Sequence, residues 1–140
     1  MKLVENLGLQ EKVVFTGRAN VLEYYSFLDL LLLTSISEGQ PLSILEGLAA
    51  GIPFISTDVG NCREILLEKT DIGEAGVIIP PTSYTDLALS LVQLYHNPEK
   101  LKEFSKNGKK IVNKYYSKES FIQRYREIYD EMKGVEEWQE

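Results

Sequence analysis

Short apolar runs at residues 13–15, 30–33, 53–55 and 77–79 alternate with segments of helical spacing. Alternation of this kind predicts parallel strands joined by helical crossovers, an α/β fold with helices on both faces of a sheet of about four strands. Residues 2–9 read as the end of a helix, with Gly8 as its stop. Asn20 with Glu23, and Ser83 with Asp86, carry the spacing of helix starts. After Pro80-Pro81 the pattern is helical throughout. Asn97-Pro98 opens a helix with apolar Leu101, Phe104, Ile111 and Val112, and Ser117 caps a last one. There Phe121, Tyr125, Ile128, Tyr129 and Met132 form a stripe expected to supply core. Residues 1–133 are read as one partial domain and 134–140 as an acidic, frayed tail.

The run at 30–33 is unbroken, as in a parallel strand covered on both faces. It ends in Thr34-Ser35, and the segment from Glu38 to Glu46 follows. Pro41 suits the first position of a helix, where its missing N–H costs nothing. The backbone amides of Leu42 and Ser43 would then point past the strand's carboxyl end, where a helix start attracts anions. Glu46 falls one turn later among apolar neighbours, where a buried carboxylate needs a partner. A phosphate at the helix start, with a polyol held by two carboxylates, describes a nucleotide sugar. Two glutamates eight residues apart are, by themselves, more often a solvated loop residue and a helix residue reaching for water.

The wider stretch from Leu31 to Pro53, with its Glu-x7-Glu element, resembles the donor-binding domain of retaining GT-B glycosyltransferases of group 1, or family 4. Val13-Val14-Phe15-Thr16-Gly17-Arg18 is similar to that family's strand and loop at the nucleobase pocket, and residues 56–64 to its next strand and glycine turn. Within the family, the segments around Glu38 and Asn61 most resemble the cytoplasmic UDP-glucose-using transferase of the Pel exopolysaccharide system. The resemblance implies that Glu46 grips the ribose hydroxyls and that Glu38, as catalytic carboxylate, contacts donor-sugar hydroxyls. It implies that Leu42 and Ser43 hold the diphosphate, that Gly39 and Gln40 pass close to the sugar, and that Arg18 lies near the base. It implies transfer of a hexose, glucose foremost, to an acceptor hydroxyl with retention, with UDP-glucose or a similar nucleotide sugar as donor and no metal or other cofactor. Gly47 stands where the family usually has alanine, which should loosen the helix by roughly 0.5–1 kcal/mol.

The same resemblance implies that the chain is a fragment. Two strands and two helices of the donor domain, and an acceptor domain before them, are expected ahead of Met1, and no Arg or Lys here matches the family's basic pair at the diphosphate. The chain alone is therefore expected to be inactive. A strand would be missing between those at 13–15 and 30–33, leaving edges open to rearrangement or to pairing with a second copy.

Composition narrows the picture further. A net charge of −6 argues against nucleic acid. No apolar run is long enough for a transmembrane segment, and the start lacks a secretory signal. Cys62 is single, which fits a reducing compartment and a cytoplasmic location. His96 has no metal-ligand cluster beside it in sequence, and Cys62 no histidine partner. Tyr24-Tyr25 and Tyr115-Tyr116 suit core or interface, and Lys106, Lys109, Lys110 and Lys114 a solvated face. Two other classes remain: a non-catalytic nucleotide-binding module, and a doubly wound α/β interaction domain.

Overall fold

A computed structural model describes residues 2–133. Helix α1 (Lys2–Asn6) is followed by irregular chain with two 3₁₀ turns, then β1 (Leu31–Leu33), α2 (Leu42–Ala50), β2 (Phe54–Thr57), α3 (Cys62–Leu66), β3 (Gly76–Ile79), α4 (Tyr84–Tyr95), α5 (Pro98–Tyr115) and α6 (Lys118–Lys133). The strands are parallel in the order β1-β2-β3, with Leu31 beside Phe54 and Phe54 beside Gly76. Gly76 fits because any Cβ there would run into the Phe54 carbonyl oxygen.

Strand alternation sends neighbouring side chains to opposite faces. Phe54, Leu31, Leu33 and Ile78 join Ile44 and Leu48 of α2, Cys62, Ile65 and Leu66 of α3, and Ile111 of α5 in one core. Ile55, Val77 and Ile79 join Leu94 of α4 and Phe104 of α5 in the other. Cys62 is thus a packed core thiol.

Three expectations give way here. Residues 13–15 form no strand: Val14 is 85% exposed and the segment pairs with nothing, so the sheet has three strands among the described residues. Alternating apolar residues become a strand only against a partner, and β1 keeps its outer edge free. The run at 30–33 is only partly covered on its second face: Leu30 packs against the Ile55, Ile79, Leu94 and Phe104 core, while Leu32 is left 45% exposed. The α6 stripe supplies no core either: Phe121, Tyr125, Ile128, Tyr129 and Met132 all face solvent. The proposed tail at 134–140 lies outside the described residues.

Helix boundaries follow the local signals. Ser83 caps α4 by accepting from the Asp86 amide, and Asn97 caps α5 by accepting from the Lys100 amide ahead of Pro98. Ser117 does the same for the Ser120 amide at the start of α6. Gly8, at φ 65°, ends α1. The Asn20–Glu23 start produces a single 3₁₀ turn at Val21–Glu23 rather than a full helix.

The C-terminal end of α5 is fastened to the α3–β3 connection. Lys69 donates to Glu64 at 2.7 Å and sits 5.0 Å above the Tyr115 ring, while Lys114 and the Tyr115 hydroxyl both donate to Asp71 at 2.6 Å. The hydrogen bond from Lys69 holds the Glu64 carboxyl below its ordinary 4.5, and those from Lys114 and Tyr115 hold Asp71 below 3.8. Both groups keep their protons to higher pH when unfolded. Their stabilisation is therefore present above the unfolded values and lost as pH falls through the lower folded ones. The melting temperature should drop as pH goes from about 5 to about 3, and Glu64→Gln with Asp71→Asn should flatten that drop. An unchanged slope in the double variant would place the acid sensitivity elsewhere.

Candidate functional site

The carboxyl ends of β1 and β2 carry the site. After β1 the chain turns through Glu38, Gly39 and Gln40, and Pro41 leads into α2. Pro41 is buried and acts as the cap itself, with φ −73° and ψ 107°, so Leu42 rather than Pro41 takes the first helical position. No side chain caps this end, and Leu42 and Ser43 are exposed with their amides unused. At the other end Gly51, at φ 88°, stops the helix, and the Lys109 side chain lies across it, where a cation suits the carbonyl end of a helix.

Glu46 is exposed rather than buried among its apolar neighbours, and its partner is Tyr25, whose hydroxyl donates to Oε2 at 3.3 Å. Burial, and next the adjacent Glu46 carboxylate, raise the Tyr25 hydroxyl above its ordinary 10.0 and keep its proton in place for that bond. Glu38 is half-buried, and the Ser35 hydroxyl donates to its Oε1 at 2.7 Å. The Thr57 hydroxyl in turn donates to the Ser35 carbonyl at 2.6 Å.

The turn after β2 closes over the same loop. The Asn61 amide donates to the Gly39 carbonyl at 3.1 Å, and Gly60, at φ 53°, lies so close that a Cβ there would collide with the Gly39 oxygen. Arg63 braces this turn with a forked pair to Asp58, Nη2 to Oδ2 at 2.6 Å. The Asn61 Oδ1 is buried and has no donor among the described residues. Past the ends of the strands a cavity of about 350 Å³ is lined by Thr34, Ile36, Thr57, Ile79, Thr82 and Leu87.

The structure thus brings Glu38, Gly39, Gln40, Leu42, Ser43 and Glu46 onto one loop and helix start. Arg18 stands on an exposed bend and makes no ion pair or side-chain hydrogen bond among the described residues. Tyr25, Ser35, Thr57 and Gly60 hold or crowd these candidate residues, and sequence reasoning passed over their parts. Each acts across a fold of the chain, and the serine at a strand's end before Glu38 was the one local hint.

A family model described as "Glycosyl transferases group 1" matches residues 1–111. The chain belongs to this family. Among relatives of this group 1 chain, the N-acetyl-alpha-D-glucosaminyl L-malate synthase of Bacillus anthracis is 30% identical over 130 residues, which cover 92% of this chain and 33% of that protein. The sucrose-phosphate synthase structure from Thermosynechococcus elongatus superposes with a TM-score of 0.82 at 23% identity, covering 96% of this chain and 33% of that one. The Anabaena HepE structure in complex with UDP gives 0.82 at 21% identity, covering 93% and 35%. The group 1 chain therefore spans about a third of the length of these proteins. At these identities the two structures establish the GT-B fold relation.

The close approach of α2 to the sheet gives Gly47 another meaning in this family member. A Cβ there would sit 2.5 Å from Phe54 Cε2 and 2.7 Å from Leu31 Cδ1. The glycine does not simply loosen the helix; it makes room for the Phe54 ring.

Among the described residues no three His, Cys, Asp or Glu side chains gather as a metal site, and no helix is long and apolar enough to cross a membrane.

Proposed function

We propose that this chain is the donor-binding part of a retaining glycosyltransferase that moves a hexose, glucose foremost, from a nucleoside diphosphate to an acceptor hydroxyl without a metal. The observation that carries this reading is the pair of unused amides at Leu42 and Ser43, set between Glu38 and Glu46 at the carboxyl end of β1. Open amides at a helix start suit the charged diphosphate. Glu46, exposed and already oriented by Tyr25, suits the ribose, and the free oxygen of Glu38 suits a sugar hydroxyl. Gly39 and Gln40, exposed on the loop, let the sugar approach, and Arg18 is assigned to the base. A UDP complex is known for the superposing Anabaena protein, which supports UDP as the nucleotide here. The resemblance around Glu38 and Asn61 supports UDP-glucose and a place in exopolysaccharide synthesis, in the cytoplasm.

Charge that develops on the departing diphosphate must be stabilised for transfer to occur, and this is usually the largest catalytic term. The basic pair for that task and the acceptor site are assigned to parts of a longer protein, so the chain alone is expected to bind without turnover.

Calorimetric titration with UDP and UDP-glucose tests the reading. The wild-type chain should bind UDP with a Kd of about 0.1–1 mM. Glu46→Ala should weaken this about 10- to 100-fold, the worth of hydrogen bonds to a charged group. A wild-type chain that binds neither nucleotide, or a variant that binds as well as the wild type, would overturn it.

A further inference from the structure

A carboxylate that meets sugar hydroxyls must present its free oxygen in one direction, because reactive geometry is lost within small displacements. Glu38 sits on a loop and has three rotatable bonds, so its direction has to come from a neighbour. Ser35, three residues earlier, supplies it: the hydroxyl's single proton goes to Glu38 Oε1 at 2.7 Å. That leaves Oε2 without a partner among the described residues.

Ser35 is itself held. Its carbonyl accepts from the Thr57 hydroxyl at 2.6 Å, and the same hydroxyl lies 3.4 Å from the Leu33 carbonyl. Thr57 is buried at the end of β2, the central strand, with Ile79 of β3 on its far side in register. The chain of bonds therefore runs from the middle of the sheet to the carboxylate, across 22 residues of sequence. From the other side Gly60 and the Asn61 amide press on the Glu38–Gly39 peptide, so backbone and side chain are fixed separately.

Resting on the donor-binding reading above, we propose that Ser35, anchored by Thr57, is a positioning residue that fixes Oε1 of Glu38 so that Oε2 is presented to a donor-sugar hydroxyl. In this reading both residues act through Glu38 rather than on the nucleotide. Their loss should therefore change how the chain tells UDP-glucose from UDP, and not how it holds UDP.

The test is the ratio of UDP-glucose to UDP affinity, measured by calorimetry on the 140-residue chain. Ser35→Ala should lower the ratio roughly tenfold, the scale of one hydrogen bond to a charged group, with UDP affinity unchanged. Ser35→Thr, which keeps the hydroxyl, should restore it, and Glu38→Gln should lower it as Ser35→Ala does. Thr57→Val, similar in volume but without the donor, should lower it in the same direction. A merely structural role would instead weaken both ligands together and lower the melting temperature. If Glu38→Gln lowers the ratio and Ser35→Ala leaves it intact, the positioning role is overturned while the donor-binding reading stands. If neither variant changes the ratio, or Ser35→Thr fails to restore it, the inference is overturned. A wild-type chain that binds neither UDP nor UDP-glucose overturns the donor-binding reading and this inference with it.

Discussion

Replacing Phe54 by alanine is expected to remove about 3–5 kcal/mol of stability, and adding Gly47→Ala to that variant is expected to return part of it. Phe54 is buried on the central strand, and its ring occupies the space beneath Gly47 of α2. In the wild-type background Gly47→Ala should cost about 1–3 kcal/mol, because a methyl forced against a packed ring makes strands and helices shift. That cost outweighs the roughly 0.5–1 kcal/mol by which alanine is favoured over glycine inside a helix. Once the ring is gone, the same methyl fills part of the hole and the helical preference is felt. Urea denaturation of the four proteins in this cycle measures the coupling. Additive effects would mean that α2 does not approach the sheet as closely as described. Since small domains are stable by only about 5–15 kcal/mol, Phe54→Ala is also expected to lower the midpoint severely.

Gly60→Ala should have the second large effect, on stability and on the site together. Two costs combine there. Alanine in the left-handed region loses about 1–2 kcal/mol, and its Cβ would collide with the Gly39 oxygen and come within 2.7 Å of the Glu38 oxygen. Neither obstacle is the tip of a flexible side chain; both are backbone. The loop bearing Glu38 must therefore move away, and the bond from the Asn61 amide to Gly39 must break. The expected outcome is a lower melting temperature and a loss of UDP-glucose affinity greater than the loss for UDP. Gly17→Ala is the control, since Gly17 has a similar φ of 63° but open space where its Cβ would stand. Equal effects of the two substitutions would show that the turn does not press on the Glu38 loop.

What could be read along the chain was what neighbours in sequence decide. The strands at Leu31, Phe54 and Gly76 announce themselves by apolar runs, and the starts of α4 and α5 by Ser83 and by Asn97-Pro98. The Glu-x7-Glu element is likewise local: Glu38 lies on the loop after β1 and Glu46 on α2, with the uncapped helix start between them. The failures share one cause. Whether residues 13–15 become a strand depends on a partner strand, and whether Tyr125 or Tyr129 is buried depends on a surface to meet, and neither is a property of the segment. The bond from Tyr25 to Glu46 joins residues 21 apart, and that from Thr57 to Ser35 residues 22 apart. No periodicity marks such pairs. Gly47 is the sharpest case: by helical preference it is a weakness, and only the volume of Phe54 seven residues later explains it.

Helix α5 places Phe104 in one core and Ile111, two turns on, in the other. Gly108 between them lets Leu48 of α2 press against the helix backbone, and Asn107 ties it to the Glu74 carbonyl at 2.8 Å. Neither core can loosen while the other stays packed without bending or withdrawing this shared helix. The part of the chain from β1 to the end of α5 is thereby made to open as one cooperative unit, while the weakly packed stretch before β1 is free to open by itself at far smaller cost.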